Sequence, residues 1–103
     1  MAAFLIADVH VSDMKAYAES GYIEAVPRIA AEFGGFYRAR AGATEVLEGD
    51  FVPSRMVVIE FPDLASLKAF YDSEAYAPYR DIRQKLAHSN IIATEGLSEP
   101  IPV

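Results

Sequence analysis

Apolar and polar positions in the first third of the chain predict a strand followed by a helix. Phe4 to Val11 is apolar and β-branched apart from two polar residues, which is typical of a central strand. Apolar residues then recur at steps of three and four from Met14 to Phe33, which predicts an amphipathic helix of about five turns. Pro27 lacks a backbone donor and is expected to kink this helix or to start a second segment. Gly34 and Gly35 are expected to end it.

The middle of the chain predicts a hairpin with one long strand. Strand character runs from Phe36 to Glu48, and we interpret Gly42 as a bulge or bend within it. After a turn, Arg55 to Phe61 alternates as the clearest strand in the sequence. Asp63 is a predicted helix N-cap, and Ser73 is expected to break or recap the helix that follows.

The remaining elements complete the order β-α-β-β-α-β. Pro78 fits a second helical segment only in its first turn, and Ile91 to Glu95 reads as the last strand. This order predicts a ferredoxin-like α+β fold, in which an antiparallel sheet carries the helices on one face and its first and third strands in the middle. We assign residues 1–97 to this domain and expect residues 98–103, with two prolines, to form an extended tail.

Alternation along the strands divides the predicted sheet into two faces. The positions expected to face the helices are uniformly apolar, whereas the other face mixes apolar and polar side chains. The apolar members of that other face are Phe4, Ile6, Met56, Val58 and Ile92. A bare patch of this size is at the limit of what monomers expose, so we expect a second copy of the sheet to cover it in a homodimer. The surplus end of the long second strand is expected to reach the partner subunit.

Composition then narrows the partners and the chemistry. The chain has 9 basic and 15 acidic residues, a net charge of −6 that repels nucleic acids and anionic membrane surfaces. It has no cysteine, which excludes disulfides and thiolate sites and fits a cytoplasmic protein. Its two histidines lie in unrelated places without metal-ligand spacing. The sequence therefore predicts no metal and no cofactor, and it leaves open whether the protein is an enzyme.

One candidate polar cluster lies on the first strand. Asp8 and His10 fall on the face that a dimer would enclose, where loss of solvent makes acid or base chemistry possible. Antiparallel pairing predicts Arg55 or Asn90 as their neighbours. The alternative, a histidine that is merely hydrogen-bonded at the end of a strand, is the one we favour for His10.

A second candidate cluster lies at the other end of the hairpin. Glu60 is expected beside Arg38 or Arg40, either as a structural ion pair at the dimer interface or as part of a ligand site. Tyr71 is expected to bound the same pocket. The tyrosines could supply its polar points, although such a stripe is more often plain core. These tyrosines are Tyr17, Tyr71, Tyr76 and Tyr79.

The distribution of several motifs resembles the domain-of-unknown-function family numbered 1330, within the dimeric α/β-barrel group. The most specific matches are the runs EVLEGD from Glu45 and IEFP from Ile59, supported by Gly34-Gly35 and Arg83, and the resemblance spans about Ala3 to Leu97. It implies a ferredoxin-like monomer that pairs sheet to sheet, and it implies no particular reaction. Relatives by fold include cofactor-independent monooxygenases, muconolactone-type isomerases and haem-degrading enzymes.

Two functions are consistent with these features. The first is a small dimeric barrel that binds or transforms an apolar or aromatic small molecule in a cavity. The second is a structural dimerisation module without chemistry. They differ in one respect that a structure can address, because only the first needs an interior space with polar groups that point into it.

Overall fold

The computed structural model of the protein describes residues 1–102, so Val103 of the predicted tail lies outside the described residues. The elements are β1 (Ala3–Val11), α1 (Met14–Glu19), α2 (Tyr22–Glu32), β2 (Phe36–Arg40), β3 (Met56–Phe61), α3 (Leu64–Tyr71), α4 (Ala77–Leu86) and β4 (Ala87–Glu95). The strands form an antiparallel sheet in the order β2-β3-β1-β4. The predicted ferredoxin-like α+β fold, with the first and third strands in the middle, is confirmed.

Burial alternates along the central strands as the sequence pattern predicts. Leu5 and Ala7 of β1 and Ile59 of β3 are buried beneath the helices, whereas Phe4 and Ile6 on the opposite face stay half-buried. Pairing of Ile6 with both Val58 and Ile92 places apolar side chains side by side across that opposite face. We call this surface, formed by Phe4, Ile6, Met56, Val58 and Ile92, the open face of the sheet.

The first helical region is broken at Gly21, so the second helical segment starts there and the alternative that it starts at Pro27 is wrong. Gly21 adopts a φ of 86°, in the left-handed region that glycine enters without strain, and it separates α1 from α2. Ser20 assists because its hydroxyl accepts a hydrogen bond from the backbone N–H of Tyr22 at 3.3 Å. Pro27 instead lies within α2.

Pro27 leaves one carbonyl of α2 without its helical partner, and the structure supplies another donor. A residue at this position would normally donate its N–H to the carbonyl four residues earlier, which is that of Ile23. Arg40 of β2 donates its guanidinium to this carbonyl at 3.2 Å. The helix therefore continues through the proline, and the proline helps to fix an arginine between β2 and α2.

The expected long second strand is also wrong, because β2 ends at Arg40 and residues 41–55 form a loop without regular structure. Pairing stops because the backbone N–H groups before β3 are already hydrogen-bonded. The Asp8 carboxylate accepts the backbone N–H groups of Ser54 at 2.8 Å and Arg55 at 3.0 Å, and Pro53 has no N–H. The chain before β3 therefore has no free donors in this stretch with which to extend the hairpin. Ala41, at a φ of 55°, turns the chain away.

The irregularity predicted at Gly42 lies earlier, inside β2. The register pairs Tyr37 with Ile59 and Ala39 with Val58, so a bulge falls between Tyr37 and Ala39. A bulge shifts the alternation of all later side chains by one position. It places Arg40 opposite Val57, on the helix side of the sheet, rather than on the open face.

The end of α2 is fixed by a paired-glycine motif. Gly34 has a φ of 79°, and its N–H bonds to the carbonyl of Ala31 while that of Gly35 bonds to Ala30, the two bonds of a Schellman motif. Gly35 is buried, and a Cβ added to it would lie 2.6 Å from a ring carbon of Phe61. The glycine pair thus allows β2 to start directly against the core.

The C-terminal half follows most of its sequence signals. Asp63 caps α3 by accepting the N–H of Ser66 at 2.7 Å. Hydrogen bonding to the Ser66 side chain, followed by that to its backbone N–H, lowers the pKa of the Asp63 carboxyl. Pro78 lies in the first turn of α4. Ser73 accepts the N–H of Tyr76 at 3.2 Å between the two helices. The last strand is longer than predicted, because its pairing with β1 continues back to Ala87. The three polar residues between Ala87 and Ile91 gave no strand pattern in the sequence.

Candidate functional site

A cavity of about 40 Å³ lies between the sheet and the helices. Strands β1 and β3 supply apolar walls, and residues of α1, α2 and β2 and those around α4 supply tyrosines and arginines. The polar groups that line it are Tyr17, Tyr22, Tyr37, Tyr76, Arg40, Arg55 and Arg83. The volume holds one or two water molecules, and a site of about 150 Å³ is needed for a benzene ring. A ring therefore enters only when lining side chains move.

The charges around the cavity are of one sign. Arg40 lies at the end of β2, Arg55 just before β3 and Arg83 in α4, and among residues 1–102 no aspartate or glutamate lines the cavity. The chain as a whole carries six more acidic than basic residues, so carboxylates are plentiful elsewhere. The interior is thus a positive site within an acidic protein.

Arg83 is the most deeply buried of these arginines, at 4% exposure. Its Nε donates to the hydroxyl of Tyr76 and its terminal nitrogen to that of Tyr71, both at 3.4 Å, which is long for a hydrogen bond. Burial lowers the pKa of Arg83. The hydrogen bond to Tyr76 and the neighbouring tyrosines raise the pKa by more than burial lowers it, so the pKa lies above its ordinary value. Within residues 1–102 no carboxylate lies within 4 Å of it.

The tyrosines form a connected layer above the sheet. The hydroxyls of Tyr22 and Tyr76 are 2.6 Å apart, and the ring of Tyr76 stacks on Phe70 with centroids 4.6 Å apart. Burial, reinforced by the neighbouring tyrosines, raises the pKa of Tyr22 well above its ordinary value. Burial also raises the pKa of Tyr37. At neutral pH these hydroxyls are therefore protonated and act as hydrogen-bonding groups rather than as bases.

The raised pKa values predict how the protein responds to alkali. Burial raises the pKa of Tyr17 to about 12. In the native state these tyrosines keep protons that they lose near pH 10 in the unfolded state. Their contribution to the free energy of unfolding should therefore be fully present below pH 10 and should decrease as the pH rises above it. In a phenolate absorbance titration, at least three of the six tyrosines should remain protonated at about pH 11 until the protein unfolds. Ionisation of all six near pH 10 in the folded protein would contradict this burial.

A groove of about 370 Å³ between α4 and β4 meets the cavity at Arg83. Tyr71 and Ser89 also line the groove, and His88 lies at its edge. The Ser89 hydroxyl is buried and has no hydrogen-bond partner in the described part of the chain. Arg83 therefore forms a wall shared by two spaces, with an unsatisfied hydroxyl on the groove side.

The structure separates the predicted Glu60 cluster. Arg38 pairs with Glu60 at 3.1 Å on the open face, where their side chains are 57% and 26% exposed. The bulge sends Arg40 to the helix side, and Tyr71 also lies there, beside Arg83. Glu60 and Arg38 thus form a partly exposed ion pair, and Arg40 and Tyr71 belong with the interior tyrosines.

Asp8 and His10 do not form a cluster with an arginine side chain. Asp8 lies opposite Asn90 but uses its carboxylate to hold the backbone of the loop before β3. His10 is exposed and lies directly opposite His88 in the β1–β4 pair. The two histidines are far apart in the sequence, so the sequence alone did not predict that they are neighbours. Both residues thus belong to the open side of the sheet.

The sequence did not predict that Arg55 and Ser89 lie on the helix side of the sheet. Arg83 did carry a signal, because it shares a helical stripe with Tyr76, Tyr79 and Leu86 at spacings that predict burial. A charged residue on such a stripe needs either a partner or a function.

No helix within residues 1–102 is both long and apolar enough to pass through a lipid bilayer. Likewise, no group of three or more histidine, aspartate and glutamate side chains in this range could hold a metal ion.

Comparison with known proteins gives a family match over residues 2–97, to the domain of unknown function DUF1330. The chain belongs to this family. DUF1330 membership confirms the resemblance drawn from the sequence motifs. Against proteins of curated function the chain finds no match.

Solved structures extend the likeness in fold. A protein of unknown function from Rhodopseudomonas palustris, RPA0582, is 18% identical with a TM-score of 0.71, covering 95% of this chain and 84% of its own. SnoaB, a cofactor-independent oxygenase from Streptomyces nogalater, is 13% identical with a TM-score of 0.64, covering 95% of both chains. A putative antibiotic biosynthesis monooxygenase from Nitrosomonas europaea is 16% identical with a TM-score of 0.59, covering 94% of this chain and 99% of its own. At these identities the likeness concerns the fold alone.

Proposed function

We propose that this DUF1330 protein is a homodimer that binds a small aromatic molecule between its sheet and its helices. The observation that carries the proposal is an interior cavity whose apolar walls are interrupted by tyrosine and arginine side chains from both the sheet and the helices. Sites for small molecules commonly combine apolar walls with a few fixed polar groups in this way. Transformation of the bound ring is a natural extension, since a structural relative is described as a cofactor-independent oxygenase.

The open face supports the homodimer. Its central side chains Ile6 and Val58 pair across β1 and β3, and Ile92 beside them is 61% exposed. In the loop before β3, Leu47 is 89% and Val52 79% exposed. A second copy of the chain would cover both apolar surfaces. Sedimentation at micromolar concentration should give the mass of a dimer, and a monomer would overturn this part of the proposal.

Entry to the cavity is expected at Arg40. This side chain is exposed and yet lines the cavity, so it lies where the interior meets solvent. Its bond to the Ile23 carbonyl joins β2 to α2 beside this opening. Exchange of one such bond for a bond to water costs only about 1 kcal/mol, which permits the side chain to move aside.

Substitution of Ala7 by valine tests the cavity directly. Ala7 is 3% exposed and lines the space, so two added methyl groups should occupy it. We expect Ala7→Val to fold, with stability unchanged or raised by up to about 1 kcal/mol, and to lose binding. The measurement is a ligand-observed NMR titration with phenol, benzamide and benzoate, of which at least one should bind the wild type.

Ala43→Val is the matched control, because Ala43 lies in the exposed loop and away from the cavity. It should bind as the wild type does. Failure of all three probes to bind the wild type, or equal binding by Ala7→Val, would overturn the ligand proposal.

A non-catalytic dimerisation module is the second candidate. It is favoured by the small volume of the cavity and by the pairing of Arg38 with Glu60, which leaves no free carboxylate at that end of the open face. It predicts a dimer that binds none of the three probes. The two candidates thus share the assembly and differ only in the titration.

A further inference from the structure

We infer that the ligand is a small aromatic acid whose carboxylate pairs with Arg83 at the wall between the cavity and the groove. The inference rests on the proposed function, because it names the class of molecule that the same cavity binds. It starts from one observation, a guanidinium that is 4% exposed and has no carboxylate within 4 Å in the described chain.

A buried charge without a counter-charge is costly, and proteins usually pair or neutralise it. Arginine does not lose its proton under physiological conditions, so neutralisation is not open to Arg83. Two more arginines, Arg40 and Arg55, line the same cavity and add to the positive potential. An anion from outside the chain would remove the imbalance.

The geometry around Arg83 also leaves donors available. The guanidinium has five N–H groups, and its two protein contacts, to Tyr71 and Tyr76, are both long at 3.4 Å. The buried Ser89 hydroxyl, on the groove side of Arg83, also has no partner within residues 1–102. A carboxylate in the cavity can accept two N–H bonds from the arginine fork.

The dipole of α4 does not supply the missing charge by itself. Arg83 lies in the last turn of this helix, where the carbonyl groups carry partial negative charge. That charge amounts to about half an electron and is spread over the free carbonyl groups of the turn. A full positive charge therefore remains only partly balanced.

The test is a pair of probes of equal shape and different charge. Benzoate and benzamide share the ring and the planar substituent, but only benzoate is anionic at neutral pH. In NMR titrations the wild type should bind benzoate at least about tenfold more tightly than benzamide, as expected for one charge-assisted contact. Arg83→Met should remove this preference.

Arg83→Met should still fold, because a buried arginine without a counter-charge is replaced by an apolar side chain of similar length. Arg83→Lys is the conservative control, since it keeps the charge and loses the fork, and it should retain part of the preference. If Arg83→Met does not fold, Arg83→Lys decides the matter, because a preference equal to that of the wild type in this variant would overturn the inference.

The outcomes separate the two proposals. Equal binding of benzoate and benzamide by the wild type, or an unchanged preference in folded Arg83→Met, would overturn the inference and leave the binding cavity in place. If the wild type binds neither benzoate nor benzamide nor phenol, the proposed function is overturned, and the inference with it.

Discussion

Val58→Glu should convert the proposed homodimer into a folded monomer. Val58 lies in the middle of the open face, paired with Ile6 of the central strand. In a sheet-to-sheet dimer the new carboxylate is buried twice, once from each subunit, without a counter-charge. Burial of one such group costs several kcal/mol, and each 1.4 kcal/mol is a factor of ten, so the dissociation constant should rise by at least about a hundredfold. Sedimentation velocity over a range of concentrations measures the change.

Ala69→Glu provides the control for added charge. Ala69 is exposed on α3, on the helix side of the molecule, so the same side chain there should leave the dimer intact. Circular dichroism should show the same secondary structure in both variants. If Val58→Glu sediments as a dimer at the same concentrations as the wild type, the open face is not the interface.

Gly35→Ala should strongly destabilise the fold. The added Cβ would lie 2.6 Å from one carbon of the Phe61 ring and within 3.0 Å of two more. Phe61 is 1% exposed and packs on Phe70 with ring centroids 5.3 Å apart, so the ring has no free space into which it can move. Overpacking of this kind costs about 1 to 3 kcal/mol, which lowers the melting temperature of a domain this size by about 5 to 20 °C.

Gly42→Ala is the matched control for the glycine substitution. Nothing lies within 4 Å of the position that its Cβ would take, and its φ is not in the left-handed region. Its melting temperature should equal or slightly exceed that of the wild type, because alanine restricts the unfolded chain. Both variants should be compared at one protein concentration, since dimerisation makes melting depend on concentration. Equal melting of Gly35→Ala and the wild type would mean that Phe61 is not held as described.

The fold was largely predictable because its signals are local and mutually consistent. The alternation in β1 and β3, the caps at Asp63 and Gly34 and the position of Pro78 each act within a few residues, and the structure agrees with all of them. The end of the second strand was predicted wrongly because a distant side chain decides it. Asp8 takes the donors that would have extended the hairpin, over a sequence distance of about 46 residues.

The candidate site was less predictable because one bulge rearranges it. Simple alternation from Phe36 places Arg38 and Arg40 on the same face, and the irregularity between Tyr37 and Ala39 moves Arg40 to the other. The carbonyl that Pro27 leaves free then helps to hold Arg40 against α2. Neither effect has a signature that could be recognised from residue types alone.

Arg83 illustrates the remaining gap. The stripe on α4 predicts that residue 83 is buried, but the lack of a carboxylate around it depends on the packing of every neighbouring element. Such an absence becomes visible only once all the contacts are known. The most informative feature of the interior is therefore one that the sequence could indicate but not establish.

We propose that the ligand binds between the sheet and the helices rather than on the open face. The most direct measurement is a set of intermolecular nuclear Overhauser effects between benzoate and the methyl groups of the isotopically labelled protein. We expect contacts from the ring protons to Val9, Val26 and Ile59, which line the cavity. Contacts confined to Ile6, Val58 and Ile92, or no contacts at saturating benzoate, would contradict binding in the cavity.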